Sequence, residues 1–152
     1  YVTGASSALM YWNQREKSQS TFLGRWTKTG DKYVCENGWY TYAGRSDDML
    51  KVSGQYVSPF DVESCLMQHE SVLEAALIGV TDKNGLTKSK AFVVLKPDAS
   101  APENLEKTLQ QFVKNQLAPH KYPRSIELIS ELPKTPTGKI QRFKLREKES
   151  SA

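Results

Sequence analysis

Two unbroken apolar runs, Ala75 to Val80 and Ala91 to Leu95, constrain this chain more than any other feature. Both have the length of a strand, the second is rich in β-branched residues, and a polar, glycine-containing segment from Thr81 to Lys90 separates them. Such runs predict two buried strands. Ser58-Pro59 supplies an N-cap followed by a proline suited to the first helical position. Val62, Cys65, Leu66 and His69 then fall at i, i+3, i+4 and i+7, which predicts a helix of about three turns with His69 as a half-buried residue at its end rather than a ligand. Pro102 is expected to open a second helix whose Leu105, Leu109, Phe112, Val113 and Leu117 share a face, with Pro119 just beyond its end. Ser125 to Ile129 alternates enough to be a third strand.

Upstream, Tyr33-Val34-Cys35 and Trp39-Tyr40-Thr41-Tyr42 flank Asn37-Gly38, a dipeptide that favours the positive φ angles of a tight turn, so residues 32 to 43 read as a hairpin. Residues 6 to 23 are polar and only weakly helical, and Met49 to Val52 and Gln55 to Val57 are short extended stretches around Ser53-Gly54. The order is hairpin, helix, strand, strand, helix, strand and tail, an α+β arrangement of one sheet with helices on it. A boundary is expected near Gly44 to Asp48, where the aromatic hairpin gives way to small and charged residues. The opening Tyr1-Val2-Thr3-Gly4 reads as the end of a strand and a turn, as expected of a piece of something longer.

Composition narrows the function classes. With 152 residues, 38% hydrophobic and 25% charged, the chain is globular rather than disordered or fibrous. It has no apolar run long enough to span a bilayer and no signal-peptide pattern at its start, so an intracellular, cytoplasmic protein is expected. Cys35 and Cys65 make neither a disulfide framework nor, with only His69 and His120, a metal cluster; both are expected to pack, and no metal ligands are assigned. The net charge of +4 suits an anionic ligand without requiring nucleic acid.

Three polar, glycine-bearing segments have no use in a pure packing domain. In Thr29-Gly30-Asp31 a carboxylate on a tight turn fits either a pair of sugar hydroxyls or a structural Asx turn. In Gly44-Arg45-Ser46-Asp47-Asp48 the arginine fits either a surface ion cluster or a planar fork aimed at ligand oxygens. The segment Pro133 to Arg142 carries Lys139 after Gly138 in a proline-stiffened loop, from which an ammonium can reach a remote anionic centre. It is no P-loop, because Ile140 follows the lysine and the first glycine of that pattern is absent.

In this order and spacing, Trp26-Thr27-Lys28-Thr29-Gly30-Asp31, then Gly44 to Gly54, then Pro133 to Arg142 resemble the C-terminal part of the adenylate-forming (ANL) superfamily, which includes acyl-CoA synthetases, peptide synthetase adenylation domains and luciferases. The likeness covers essentially the whole chain. Asp47-Asp48-Met49-Leu50-Lys51-Val52-Ser53-Gly54 and Tyr56-Val57-Ser58-Pro59 look like the aryl-CoA ligases, benzoate-CoA ligases above all. Coumarate ligases and luciferases usually carry lysine where Asp47 stands, and peptide synthetases usually read Lys-Ile-Arg-Gly at Lys51-Val52-Ser53-Gly54.

The resemblance implies a small C-terminal lid domain over residues 47–152, with a mixed three-stranded sheet, a β-hairpin and flanking helices. Residues 1–46 would be a β-hairpin remnant of a larger N-terminal domain. It implies ATP-dependent, AMP-forming ligation of an aryl carboxylic acid such as benzoate to CoA, with magnesium held by that larger domain. Lys139 would be catalytic, Asp31 and Arg45 would bind the nucleotide, and Asp47 would be the hinge. Ser53 and Gly54 would line the path of pantetheine, and Lys121, Tyr122 and Arg124 would meet the CoA phosphates. The partners would be ATP, the aryl acid, CoA and the N-terminal domain, with no membrane and no nucleic acid, and a lysine acetyltransferase acting on Lys139 would silence the first step. Two other readings stay open: an adenylating enzyme that loads a carrier protein, and a basic nucleic-acid-binding module built on Lys134, Lys139, Arg142, Lys144, Arg146 and Lys148.

Overall fold

The computed structural model describes residues 1–99 and 102–150, which divide into two compact units, Tyr1–Asp47 and Asp48–Ala152. In the first unit, helix α1 (Arg15–Thr21) buries none of its residues. This agrees with the weak helical character of residues 6 to 23. Strands β1 (Phe22–Leu23) and β2 (Trp26–Thr27) form a short antiparallel pair, with Val2 bridged to Thr27. Strands β3 (Asp31–Glu36) and β4 (Trp39–Arg45) form the expected hairpin. Asn37 and Gly38 both have positive φ, at 52° and 83°, as a tight two-residue turn between twisted strands requires. Cys35 is exposed on this hairpin instead of packing as expected, because β3 lies with most of its residues in solvent within this unit.

The second unit begins with strands β5 (Leu50–Val52) and β6 (Gln55–Val57), an antiparallel hairpin turning on Ser53 and Gly54, both at positive φ. Helix α2 (Pro59–Met67) follows, with the Ser58 hydroxyl accepting the Asp61 N–H at 3.3 Å and Pro59 at its start. His69 lies just past its end, half-buried, with its ring edge-on to Phe112 and Nδ1 accepting the Ser71 N–H.

Strands β7 (Val72–Thr81) and β8 (Thr87–Leu95) pair antiparallel. Helix α3 (Leu105–Gln116) then carries the chain back so that β9 (Ser125–Leu128) lies parallel beside β8. Among the described residues this gives one mixed three-stranded sheet in the order β7-β8-β9. Both faces of β7 and β8 are covered, which is why their sequences run apolar without alternation. Ala75, Leu77, Ala91 and Val93 face Val62, Cys65 and Leu66 of α2 and Leu105, Leu109 and Val113 of α3. Their neighbours Ala76, Ile78, Phe92 and Val94 face Leu132 and Leu145 on the other side. A register shift between Val72 and Glu74 reverses the alternation, so that Val72 joins the first of these faces. Gly79 leaves room for β5: a Cβ there would lie 3.1 Å from Leu50 Cδ2 and 3.0 Å from Thr87 Cγ2.

Three expectations are corrected. Both β7 and β8 run past their apolar segments into the polar hairpin, ending on the pair Thr81 and Thr87, because ladder hydrogen bonds continue where side chains meet water. Pro102 does not open α3; it lies in a turn whose carbonyl accepts the Leu105 N–H, and the helix starts three residues later with Asn104 flanking it. The expected tail is helix α4 (Arg142–Ser150), which buries Leu145 alone. Apolar periodicity could not reveal it, because ion pairs hold it: Lys90 contacts Glu149 at 2.7 Å and Glu127 at 2.8 Å, and Lys148 also reaches Glu127.

Phe92 is fully buried beneath α4 and Leu132. Phe92→Ala is expected to cost about 3–5 kcal/mol. Urea unfolding should show a lower midpoint at unchanged slope, and a cost under about 1 kcal/mol would contradict this packing.

Candidate functional site

The register of the β3–β4 hairpin places Asp31, where β3 begins, directly opposite Arg45, where β4 ends. Beside them, Thr29 Oγ1 accepts the Asp31 N–H at 3.1 Å, and the Gly30 carbonyl accepts the Ser46 N–H at 2.8 Å, drawing the two glycine-bearing segments together. Gly30 has φ +81° and lies against the guanidinium, so a Cβ there would come 2.9 Å from Arg45 Nη2. Its positive φ calls for glycine.

Arg45 is the centre of this cluster. Its Nε and Nη2 donate to the two carboxylate oxygens of Asp47 at 2.9 and 3.0 Å, a fork-on-fork pair, while Nη1 reaches the Thr29 carbonyl at 3.3 Å and Asp31 Oδ1 at 3.4 Å. The ion-cluster reading of this arginine is thus realised toward Asp47 and Asp31. The hydrogen bond from Arg45 holds the Asp47 carboxyl below its ordinary range, against a smaller opposing effect of burial. Asp31, Arg45 and Asp47 all belong to the first unit.

The remaining candidates belong to the second. Lys139 is exposed at the end of a loop that closes on itself. The Lys139 carbonyl accepts the Thr135 N–H at 2.8 Å, its N–H donates to Thr135 Oγ1 at 3.1 Å, and Gln141 N–H donates to the Pro133 carbonyl at 2.8 Å. Lys134 and Ile140 form a bridge across the loop. Of the six basic residues near this end of the chain, Lys134 pairs with Glu74, Arg142 with Glu63 and Asp48, Arg146 with Asp48, and Lys148 with Glu127. Lys139 and Lys144 form no ion pair among the described residues.

Ser53 and Gly54 form the β5–β6 turn, where a Cβ on Gly54 would meet open space among the described residues. Lys121 is engaged by Asp61 at 2.7 Å. The Tyr122 ring meets two cations, with Lys114 Nζ 4.1 Å and the Arg124 guanidinium carbon 4.3 Å from its centroid, and Arg124 also donates to its hydroxyl. Lys114 was not legible as a neighbour in sequence, since α3 brings it to Tyr122 from outside the Lys121 to Arg124 segment. No hydrogen bond or ion pair among the described residues joins the Ser53-Gly54 turn to Lys121, Tyr122 or Arg124. No group of three or more His, Cys, Asp or Glu side chains among the described residues is placed to hold a metal ion. Nor is any described helix long and apolar enough to cross a membrane.

Residues 61–139, just over half the chain, match the AMP-binding enzyme C-terminal domain family. The chain is 62% identical over 146 residues to the benzoate–CoA ligase of Thauera aromatica, an alignment covering 95% of this chain and 28% of that protein. Among solved structures it resembles the anthranilate CoA ligase AuaEII in complex with anthranoyl-AMP, at 51% identity and a TM-score of 0.90, over 97% of this chain and 29% of that one. It also resembles a benzoate CoA ligase from Burkholderia xenovorans LB400, at 61% identity and a TM-score of 0.86, over 95% and 29%. The chain therefore spans less than a third of the length of the relatives it matches.

The paired Asp47 carboxylate yields a direct check. A group whose folded pKa is depressed lends stability above its unfolded value and loses it as the pH falls through the folded one. A carboxyl-carbon NMR titration of Asp47 should give a midpoint below the ordinary 3.8. Arg45→Ala should return it toward that value, and an unshifted midpoint in the parent chain would contradict the fork.

Proposed function

Because the chain belongs to the family of AMP-binding enzyme C-terminal domains, we propose that it is the C-terminal part of an ATP-dependent, AMP-forming aryl-CoA ligase acting on benzoate or a closely related aromatic acid. One observation carries the reading: Lys139 stands exposed on a self-closed loop without an ionic partner among the described residues, while most of the cations around it are paired. A nucleic-acid-binding surface would leave those cations facing solvent unpaired. Their pairing to Glu74, Glu63, Asp48 and Glu127 speaks against that alternative. Nothing in the geometry favours a carrier protein over CoA.

In the first half-reaction a carboxylate oxygen attacks the α-phosphorus of ATP, the bond to the β-phosphate oxygen breaks, and pyrophosphate leaves. Two anions must meet, so a cation at the α-phosphate stabilises the charge that builds in the transition state. An ammonium is a compact point charge able to contact both reacting groups, and Lys139 takes that role. Asp31 accepts the ribose hydroxyls and Arg45 contacts the nucleotide beside it. In the second half-reaction the CoA thiol releases its proton to solvent, its sulfur bonds to the acyl carbonyl carbon, and the bond from that carbon to the AMP phosphate oxygen breaks as AMP departs. Lys139 must then clear the carbonyl it has covered.

Rotation of the second unit about Asp47 accomplishes this, exchanging the Lys139 loop for the Ser53-Gly54 turn, past which pantetheine enters. Lys121, Tyr122 and Arg124 meet the phosphates of CoA. The division between Asp47 and Asp48 fits residues 47–152 as the moving lid and residues 1–46 as the end of a larger domain. The exposure of Trp12, Trp39 and Tyr40 on the first unit fits a surface which that domain covers. Magnesium is assigned to that domain. An exposed Lys139 is open to acetylation, which would remove the charge.

In the intact enzyme, Lys139→Ala should slow acyl-adenylate formation by about 10²-fold or more, read by pyrophosphate exchange. Thioester formation from supplied benzoyl-adenylate should stay within a few-fold, and equal loss in both assays would refute the role. Asp47→Pro should fix φ near −65° and harm one half-reaction selectively. Uniform loss, or none, would remove Asp47 from the hinge.

A further inference from the structure

Glu63 carries a buried carboxylate in the middle of α2. The Leu77 N–H donates to its Oε1 at 2.7 Å. Arg142 closes on the same carboxylate, with Nε at 3.2 Å and Nη2 at 2.9 Å from Oε1, and Nη2 at 2.7 Å from Oε2. The Nη1 of Arg142 lies 3.5 Å from Asp48 Oδ2, and Arg146 Nη2 lies 3.4 Å from the other oxygen of Asp48. One guanidinium therefore joins α2, through Glu63 the centre of β7, and the residue that follows the proposed hinge.

Stability alone does not call for this arrangement, since an apolar replacement of a buried ion pair is often as stable or more so. What a planar fork adds is orientation, fixing both the distance and the angle of the backbone that carries it. Arg142 is the first residue of α4 and stands three residues beyond Lys139. Between them, Gln141 is bonded to Pro133 and Ile140 packs on the second face of the sheet. The loop's internal hydrogen bonds fix its shape and Leu132 and Ile140 seat it on the sheet, while the fork of Arg142 is the directional anchor nearest Lys139 on its C-terminal side.

We propose that Arg142 is a positioning residue: its fork on Glu63 and Asp48 sets where the Lys139 loop stands on the second unit, and so where the Lys139 ammonium arrives. This rests on the adenylating role of Lys139 given above. The test is the double variant Glu63→Gln with Arg142→Met in the intact enzyme, which removes both charges together and strands neither. Acyl-adenylate formation at saturating ATP should fall at least tenfold. The KM for ATP and thioester formation from supplied benzoyl-adenylate should stay within twofold. Should that variant not fold, Arg142→Lys, which keeps the charge and loses the fork, should show the same split with at least a threefold loss.

Unchanged adenylation, or parallel loss of both half-reactions with a lowered Tm, would overturn the proposal. Lys139→Ala measured alongside separates the two levels. If it silences adenylation while the Arg142 variants do not, the positioning role alone falls. If it leaves adenylation intact, the functional reading fails and takes the positioning role with it.

Discussion

The second unit depends on burying two strands from both sides at once. Ala75 and Leu77 point one way along β7, Ala76 and Ile78 the other, and neither set can be left in water. Helices α2 and α3 cover the first face, and they are adjacent in the chain to the strands they cover. The second face is covered by Leu132, Ile140 and Leu145, all from the last part of the chain. The loop bearing Lys139 lies between those three anchors, so the hydrophobic demand of the sheet also fixes the proposed catalytic loop to a rigid body. The same apolar residues that complete the core bracket the lysine proposed as catalytic.

Much of this was legible because the relevant signals are local. The Asn37-Gly38 turn, the Ser58-Pro59 helix start, and the apolar stripes of α2 and α3 depend on neighbours in sequence, and each element formed where its residues required. Helix α4 was not legible. Its residues are mostly charged, and what holds it are ions supplied by β8, β9, α2 and Asp48, from 21 to 98 positions away. Spacing along one segment cannot report partners at that distance. The cap of α3 was misplaced for a related reason, since Pro102 suits a helix start equally well whether the helix begins there or after one further turn.

The candidate site divides along the same line. Thr29-Gly30-Asp31 and Gly44 to Asp48 were visible as segments, but their joining across the β3–β4 register was not, nor was the forked pair between Arg45 and Asp47. A sequence shows an arginine two residues from an aspartate; it does not show whether they face each other. Nothing along the sequence singles out Glu63, whose burial against Leu77 and Arg142 emerges only when α2 docks on the sheet.

The hydrogen bonds that tie Thr135 to Lys139 and Pro133 to Gln141 bear on the tempo of any chemistry Lys139 performs. A floppy loop would have to find its working shape anew at each turnover, losing chain entropy every time. This loop meets that cost once, when the protein folds. The residual search is then left to the long side chain of the lysine and to the movement of the body that carries it.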